Sequence, residues 1–321
     1  MKCWKYFFVR QVEKKKLVFV ILHYTRADIT AEGVKHILDN CDVDRDQYRI
    51  IIVDNLSPDG SLNELRKIFD SNDTVIILEN KENLGFSGGN NVGFMYAKQN
   101  LDPDFIVVQN NDAYLKDSQL YEKLMTEYNT SHLGVGGPKI ESPDGDETNN
   151  PMFTYLIDEE FCDFMIRRKK ADIFWSRIRM YDLLQFFRRV MSKLKLSKWP
   201  ETKSLLPEGM VKEEAHLKKL YKVGLHGSCW FFSREYIKRY DGLDQRTFMY
   251  SEEMILFLHM YYKGGIMVYM PEISFLHLGK IATGEQMGRD RKGEMKRRLF
   301  EFEHSLVGWE ACKSIIEEKS V

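Results

Sequence analysis

Two short clusters of polar residues in this chain have the composition of a metal or ligand site. One is Asp54-Asn55-Leu56-Ser57-Pro58-Asp59, and the other is Asn110-Asn111-Asp112. Carboxylate and amide oxygens are ligands that Mg²⁺ and Mn²⁺ accept, and a metal held by Asp112 could bridge a diphosphate. Either cluster taken alone is also typical of an ordinary turn that caps a helix.

The adjacent carboxylates Glu252 and Glu253 could perform acid–base chemistry. They follow Ser251, which the sequence predicts as the N-cap of a helix. A helix N-terminus favours the ionised carboxylate, which is the form that a general base requires. His277 could ligate Mn²⁺ or hydrogen-bond a phosphate as a neutral imidazole. The alternatives are a simple complement to the helix dipole for the carboxylates and a structural role for the histidine.

A glycine-rich segment, Asn83-Leu84-Gly85-Phe86-Ser87-Gly88-Gly89-Asn90-Asn91, is predicted to open a helix. Glycines let the backbone approach a ligand closely, and a helix N-terminus offers unpaired N–H groups to a phosphate. The segment has neither the G-x-G-x-x-G spacing of dinucleotide-binding proteins nor the G-x-x-x-x-G-K-[ST] of a P-loop. A NAD-dependent dehydrogenase is therefore disfavoured.

The elements that must position these residues alternate between strands and helices. Four apolar runs predict buried strands, namely Leu17–Leu22, Tyr48–Val53, Thr74–Leu78 and Phe105–Val108. Helices are predicted near Thr30–Asn40, Leu62–Phe69, Ser87–Gln99 and Asp117–Tyr128. This order predicts right-handed βαβ units, and hence an α/β fold with a mostly parallel sheet flanked by helices. Three polar clusters follow the first, second and fourth strands, namely His23-Tyr24-Thr25, Asp54–Asp59 and Gln109–Asp112. Since ligands bind outside the carboxyl ends of such strands, these clusters are expected to converge there.

The second half of the chain resumes this pattern after a long interruption. Val223–Phe232 is predicted as a strand, Ser251–Tyr262 as a helix, Ile266–Met270 as a strand and Glu272–Leu278 as an extended segment. Gln286–Lys319 is predicted as a charged C-terminal helix.

The interruption contains a basic and aromatic stretch, Arg167–Lys198. It holds eleven Lys or Arg and two acids, Asp172 and Asp182. Basic amphipathic helices with aromatic residues are typical of anionic membrane surfaces. A solvated helix packed on the domain, or a contact in a homo-oligomer, would explain the same pattern.

Composition excludes several classes of protein. The chain has 321 residues, 43 % of them hydrophobic, with 47 Lys or Arg against 48 Asp or Glu and a formal net charge of −1. A disordered protein and a general nucleic-acid binder are therefore disfavoured. The absence of a long apolar run argues against a bilayer-spanning segment, and the N-terminus does not have the pattern of a secretory signal. Five scattered cysteines indicate neither a disulfide framework nor a zinc site, so we expect a cytoplasmic protein, peripheral on the inner face of the membrane if the basic stretch binds lipid.

Taken together, the motifs resemble the inverting family 2 glycosyltransferases of the GT-A fold, in particular the bacterial rhamnosyltransferase-like enzymes of surface-polysaccharide synthesis. His23-Tyr24-Thr25 resembles the T-Y-N of that family, and Asp54-Asn55-x-Ser57-x-Asp59 its D-N-x-S-x-D. The glycine-rich segment is similar to N-x-G-F-x-G-G-N-N, and Asn110-Asn111-Asp112 to the D-x-D metal motif. Phe248-x-Tyr250-x-Glu252-Glu253 and His277-Leu278-Gly279 resemble the late E-D-x-D and H-x-G motifs.

The resemblance implies a role for each matching residue. Glu253 would be the general base, with Glu252 beside it, and Asp112 and His277 would hold Mn²⁺ or Mg²⁺. The nucleotide sugar would contact a larger set: Tyr24, Thr25, Asp54, Asn83, Gly85, Phe86, Gly88, Gly89, Asn90, Asn110 and Asn111. UDP- or dTDP-sugars are favoured as donors over GDP-sugars, and the implied acceptor is a polyprenyl-linked saccharide.

The chain departs from the family pattern at three positions. Asn110 stands at the first Asp of D-x-D, Glu253 at the catalytic Asp, and Ile255 at the second Asp of E-D-x-D. These departures motivate the alternative of a non-catalytic sugar-nucleotide-binding subunit. A nucleotidyltransferase is disfavoured because no Gly-rich, Lys/Arg-bearing loop follows the first strand.

The expected organisation divides the chain into five segments. They are an N-terminal extension (1–16), a nucleotide-sugar-binding half (17–140), a basic helical insertion (141–221), an acceptor half (222–280) and a C-terminal helical segment (281–321).

Overall fold

A computed structural model of the chain describes residues 14–144, 150–196, 199–279 and 291–319. Most of the predicted N-terminal extension therefore lies outside the described residues, as does the start of the predicted C-terminal segment. Within the described ranges nine strands form a single sheet, in the order β3-β2-β1-β4-β8-β6-β9-β5, with β7 paired to β9. The strands are β1 Leu17–His23, β2 Tyr48–Asp54, β3 Val75–Glu79, β4 Phe105–Asn110, β5 Ala113–Leu115, β6 Val135–Glu141, β7 Leu220–Tyr221, β8 Cys229–Ser233 and β9 Met267–His277.

Helices cover the sheet on both faces. They are α1 Ala27–Asn40, α2 Ser61–Phe69, α3 Gly85–Asn100, α4 Leu120–Ser131, α5 Glu159–Arg177, α6 Tyr181–Lys193, α7 Arg234–Arg239, α8 Glu252–Tyr262 and α9 Arg291–Lys319. Strand residues of alternating orientation divide between two cores, so that Val18 and Val20 of β1 enter one and Leu17 and Phe19 enter the other. The α/β fold with helices flanking a central sheet is confirmed.

The first four strands match the prediction closely. β1 pairs in parallel with β2 and with β4, and β2 pairs in parallel with β3. β1 and β2 are buried along almost their whole length, because helices pack on both faces of the sheet. Continuous apolar runs were therefore a sufficient signal for these strands.

The other half of the sheet corrects the prediction of a mostly parallel arrangement. β8 runs antiparallel to β4 and to β6, and β5 and β7 run antiparallel to β9. β9 is parallel to β6 and forms one strand where the sequence predicted two pieces. The predicted strand Val223–Phe232 is also too long, because β8 begins only at Cys229. The residues before it form a loop that carries His226 to the edge of the sheet.

The basic stretch forms two helices with different environments. α5 packs along α9 and buries Asp172, Ile173 and Ser176. α6 has no buried residue and is held to α5 by an ion pair between Arg188 and Asp172. No helix among the described residues is long and apolar enough to cross a membrane.

Candidate active site

The loops that follow β1 and β2 are joined to each other at the carboxyl edge of the sheet. The backbone N–H of Thr25 donates to Ser57 Oγ at 3.0 Å, and that of Arg26 donates to Asp59 Oδ2 at 3.0 Å. Thr25, Arg26 and Leu56 all have positive φ angles of 62° to 64°. Strained backbone of this kind persists only where surrounding contacts over-determine it, and it concentrates at binding sites. Ser57 and Asp59 thus hold the two loops in register, while Tyr24 lies half-buried beside them.

Asp54 offers a buried acceptor at this edge. Its side chain is 2 % exposed, and Oδ2 accepts the Ser57 N–H at 3.2 Å. Oδ1 has no hydrogen-bond partner among the described residues and lies 3.8 Å from His23 Nε2. The His23 ring is already bonded to Thr30 Oγ1 and Ser61 Oγ, and burial lowers its pKa, so it is neutral near pH 7. An unpartnered buried carboxylate oxygen is costly unless a ligand donor satisfies it.

The glycine-rich segment performs a packing role that the sequence did not reveal. Gly85 has a φ of +71°, and a Cβ there would lie 2.1 Å from the carbonyl oxygen of Phe248. The same carbonyl accepts the Phe86 N–H at 2.8 Å, so this N–H is not available to a phosphate. Gly88 abuts Leu84, and a Cβ on Gly89 would lie 2.5 Å from Leu22 Cδ1, so α3 can approach the sheet closely.

The asparagines of this segment fix its shape. Asn83 Oδ1 accepts from Asn55 Nδ2 at 2.9 Å and from the Gly85 N–H at 3.0 Å. Asn90 donates to the Phe86 carbonyl, and its Oδ1 is buried with no partner among the described residues. Asn90 Oδ1 is thus, after Asp54 Oδ1, a second buried acceptor that an N–H or O–H group of a ligand could satisfy.

Asp112 and His277, the two metal ligands that the family resemblance implies, lie together. His277 Nε2 is 3.3 Å from Asp112 Oδ1, because β5 pairs with the end of β9. Adjacent ligands of an octahedral ion with bonds of about 2.1 Å are separated by about 3 Å, so one carboxylate oxygen and one imidazole nitrogen at this spacing fit two positions around Mn²⁺ or Mg²⁺. The described residues contain no group of three His, Cys, Asp or Glu side chains suited to a metal.

His226 is a member of this region that the sequence did not indicate. Its ring centroid lies 5.6 Å from that of His277, and Nδ1 accepts the Ser228 N–H at 3.1 Å. Burial, and then the nearby His277, lower its pKa to about 4. A neutral imidazole therefore stands beside the Asp112–His277 pair. The only signal for it was a histidine between small residues in an otherwise apolar run, which was interpreted as a strand.

Glu252 and Glu253 begin α8, directly after two residues with positive φ, Tyr250 at 73° and Ser251 at 78°. Ser251 occupies the N-cap position but makes no capping bond through its side chain, because it packs against Gly308 of α9. Burial, and then the charge of Glu253, raise the pKa of Glu252 to about 8. Burial also raises the pKa of Glu253, whose Oε1 accepts the Gly227 N–H at 3.3 Å.

A cavity of about 460 Å³ opens beside this carboxylate pair. Its polar lining includes Asn110, His226, Glu252, Glu253 and Lys169. Its apolar lining comes from Phe86, Trp309 and four methionines, Met152, Met165, Met249 and Met254. Asn111 does not join it, since its amide donates to Thr30 Oγ1 on α1. One wall of the cavity comes from two helices that are far apart in the chain, with Met165 and Lys169 on α5 and Trp309 on α9.

Comparison with known proteins gives a family and a fold. The model of the family described as Glycosyl transferase family 2 matches residues 18–241. The crystal structure of GalNAc-T7 with UDP, GalNAc and Mn²⁺ aligns with a TM-score of 0.53 and 13 % identity, over 84 % of this chain and 44 % of that chain. The structure of S. aureus TarS residues 1–349 aligns with a TM-score of 0.49 and 12 % identity, over 89 % of this chain and 70 % of that one. No curated protein sequence matches the chain.

Proposed function

The chain belongs to glycosyl transferase family 2, and from this premise we propose that it transfers a sugar from a nucleoside diphosphate to a hydroxyl of a saccharide acceptor, with inversion. One observation carries the proposal. Glu253 is linked through Gly227 and His226 to the His277–Asp112 pair, which supports a proposed base beside a proposed diphosphate site. An acceptor hydroxyl and a departing diphosphate need this proximity in a single displacement.

The donor half of the proposal rests on buried acceptors and on the metal pair. Asp54 Oδ1 would accept an N–H from the nucleotide base, such as the N3–H of uracil or thymine in a UDP- or dTDP-sugar. Asp112 and His277 would hold Mn²⁺ or Mg²⁺, and the ion would neutralise charge on the leaving diphosphate. The fold neighbour GalNAc-T7 was crystallised with UDP, GalNAc and Mn²⁺, which supports a nucleoside diphosphate and a divalent ion as ligands of this proposed site.

The acceptor half rests on the cavity. Glu253 would take the proton of the attacking hydroxyl, and Glu252, with a pKa of about 8, would remain protonated beside it at neutral pH. A base one methylene longer than the family's Asp moves the carboxylate by about an ångström, a distance to which rates are sensitive. The apolar wall of Met and Trp side chains supports a saccharide carried on a polyprenyl lipid as the acceptor. We propose that the protein meets this acceptor at the inner surface of a bacterial membrane.

A binding subunit without catalysis is the second candidate. It is favoured by Ile255, which stands where the family has an Asp and is 1 % exposed in the core, out of reach of a substrate. Such a subunit would bind the nucleotide sugar but would show no turnover with any acceptor.

Donor binding is the direct test. The melting temperature of the protein would be measured against UDP-, dTDP- and GDP-sugars, with and without Mn²⁺, for the wild type and Asp112→Asn. A ligand at 100-fold its Kd adds about 2.7 kcal/mol of stability, or on the order of 5 °C. We expect a Mn²⁺-dependent shift with UDP or dTDP that Asp112→Asn abolishes. If none of the nucleotides changed the melting temperature of the folded wild-type protein, that result would contradict the donor site.

A further inference from the structure

Helix α6 presents its apolar side to solvent. At 100° per residue, Leu183, Phe186, Phe187, Met191 and Leu194 share one side of the helix, which we name the α6 apolar face. Phe186 is 60 % exposed, Phe187 54 % and Leu194 61 %. A helix on a globular domain ordinarily turns such a face toward the core. Large apolar residues exposed together instead mark a surface that contacts something else.

The opposite side of α6 is the side that holds it to the domain. The Tyr181 ring lies 5.3 Å from the Phe302 ring of α9. Arg188 pairs with Asp172, which is buried in α5. These anchors fix the rotation of the helix about its axis. The outward direction of the α6 apolar face is therefore set by specific contacts of its polar side.

The charges beside this face indicate its partner. Residues 179–196 carry five Lys or Arg and one acid, Asp182. Arg189 and Lys193 are exposed, and none of the described residues forms an ion pair with either. An apolar face flanked by unpaired cations matches a lipid surface with anionic headgroups. A second copy docked by twofold symmetry would instead bring the same cations together, which is unfavourable.

We infer that the α6 apolar face inserts into the headgroup region of an anionic membrane, with Arg189 and Lys193 at the phosphates. Only the second half of the basic stretch takes part, since α5 is packed against α9. α5 also lines the cavity through Met165 and Lys169, and it ends at Arg177, about 12 Å further along the helix, where the chain turns into α6. The cavity would thus open near the lipid surface. This last step rests on the proposed function, whereas lipid binding does not.

Flotation of the full-length protein with vesicles tests the inference. Vesicles of phosphatidylcholine alone would be compared with vesicles that also contain phosphatidylglycerol, at low and high salt. We expect binding to the anionic vesicles that weakens with salt. The double variant Phe186→Gln/Phe187→Gln should weaken it at least about tenfold, because the apolar contribution is lost. Arg189→Gln and Lys193→Gln should each weaken it about fivefold on anionic vesicles.

Matched controls come from helix α2, which carries an exposed apolar and an exposed basic residue. Ile68 is 54 % exposed and Lys67 follows Arg66 in the same turn, so Ile68→Gln and Lys67→Gln remove equivalent groups elsewhere. Both should bind vesicles as the wild type does. The melting temperature of each variant without ligand shows that it is folded.

Three results would overturn the inference. The first is a wild-type protein that does not float with anionic vesicles at low salt. The second is a phenylalanine double variant that binds lipid like the wild type. The third is a wild-type dimer that the double variant dissociates while its lipid binding is unchanged, which would make the face a dimer contact. Nucleotide-induced melting shifts, measured without vesicles, separate this outcome from that of the proposed function. If the protein floated with anionic vesicles but no nucleotide changed its melting temperature, the donor site would be refuted and the lipid-binding inference would remain supported.

Discussion

Replacing Glu252 by Gln should stabilise the protein at neutral pH. The Glu252 side chain is 7 % exposed and accepts a hydrogen bond of 3.4 Å from Thr247 Oγ1. Burial, and then the charge of Glu253, raise its pKa from an ordinary 4.5 to about 8. Glutamine has the size of the protonated carboxyl and can accept the same bond, but it is neutral without having to take up a proton when the chain folds.

The magnitude follows from the two pKa values. Between pH 4.5 and about pH 8 the unfolded chain has released the Glu252 proton while the folded chain still holds it. The stability linked to this proton is therefore complete below pH 4.5 and is lost as the pH rises through about 8. Each pH unit in this window costs about 1.4 kcal/mol. By neutral pH the loss is about 3 kcal/mol, or on the order of 5 °C in Tm, and the glutamine variant escapes it.

Urea unfolding at several pH values, from about pH 5 to about pH 8, measures this effect. The difference in unfolding free energy between Glu252→Gln and the wild type should grow with pH. Glu160→Gln on α5 is the control, because it removes the same formal charge from an exposed position. A stability difference that is constant with pH would refute the reasoning. A glutamine variant less stable than the wild type near pH 7 would refute it too.

Two further predictions concern the base and the glycine-rich segment. Glu253→Gln should lower turnover at least about 100-fold without weakening nucleotide-sugar binding by calorimetry, and an equal loss of binding would argue against a base. Gly85→Ala should destabilise by several kcal/mol, since its Cβ would lie 2.1 Å from the Phe248 carbonyl oxygen, whereas Gly60→Ala, with similar φ and open space, should cost only about 1 kcal/mol. Equal losses in chemical denaturation would contradict the packing role of Gly85.

Part of the candidate site was predictable because it lies at the ends of single strands. Asp54 ends β2 and Asp112 follows β4, and the carboxyl ends of parallel strands in one sheet lie at the same edge. His226 and Lys169 could not be predicted, because a loop and an insertion helix bring them to the cavity from distant parts of the chain. The glycines were interpreted as ligand contacts, whereas Gly89 packs against Leu22 of the neighbouring strand.

The sequence by itself determined the first four strands and the family, because buried strands leave continuous apolar runs and short motifs keep their spacing. Tertiary structure decided the direction of β8, which depends on where the chain re-enters the sheet after α5 and α6. It also decided the raised pKa of Glu252 and the outward turn of the α6 apolar face. Both depend on contacts between residues far apart in the chain. Such contacts remove Glu252 from solvent and fix the rotation of α6, and the local periodicity of the sequence predicts neither effect.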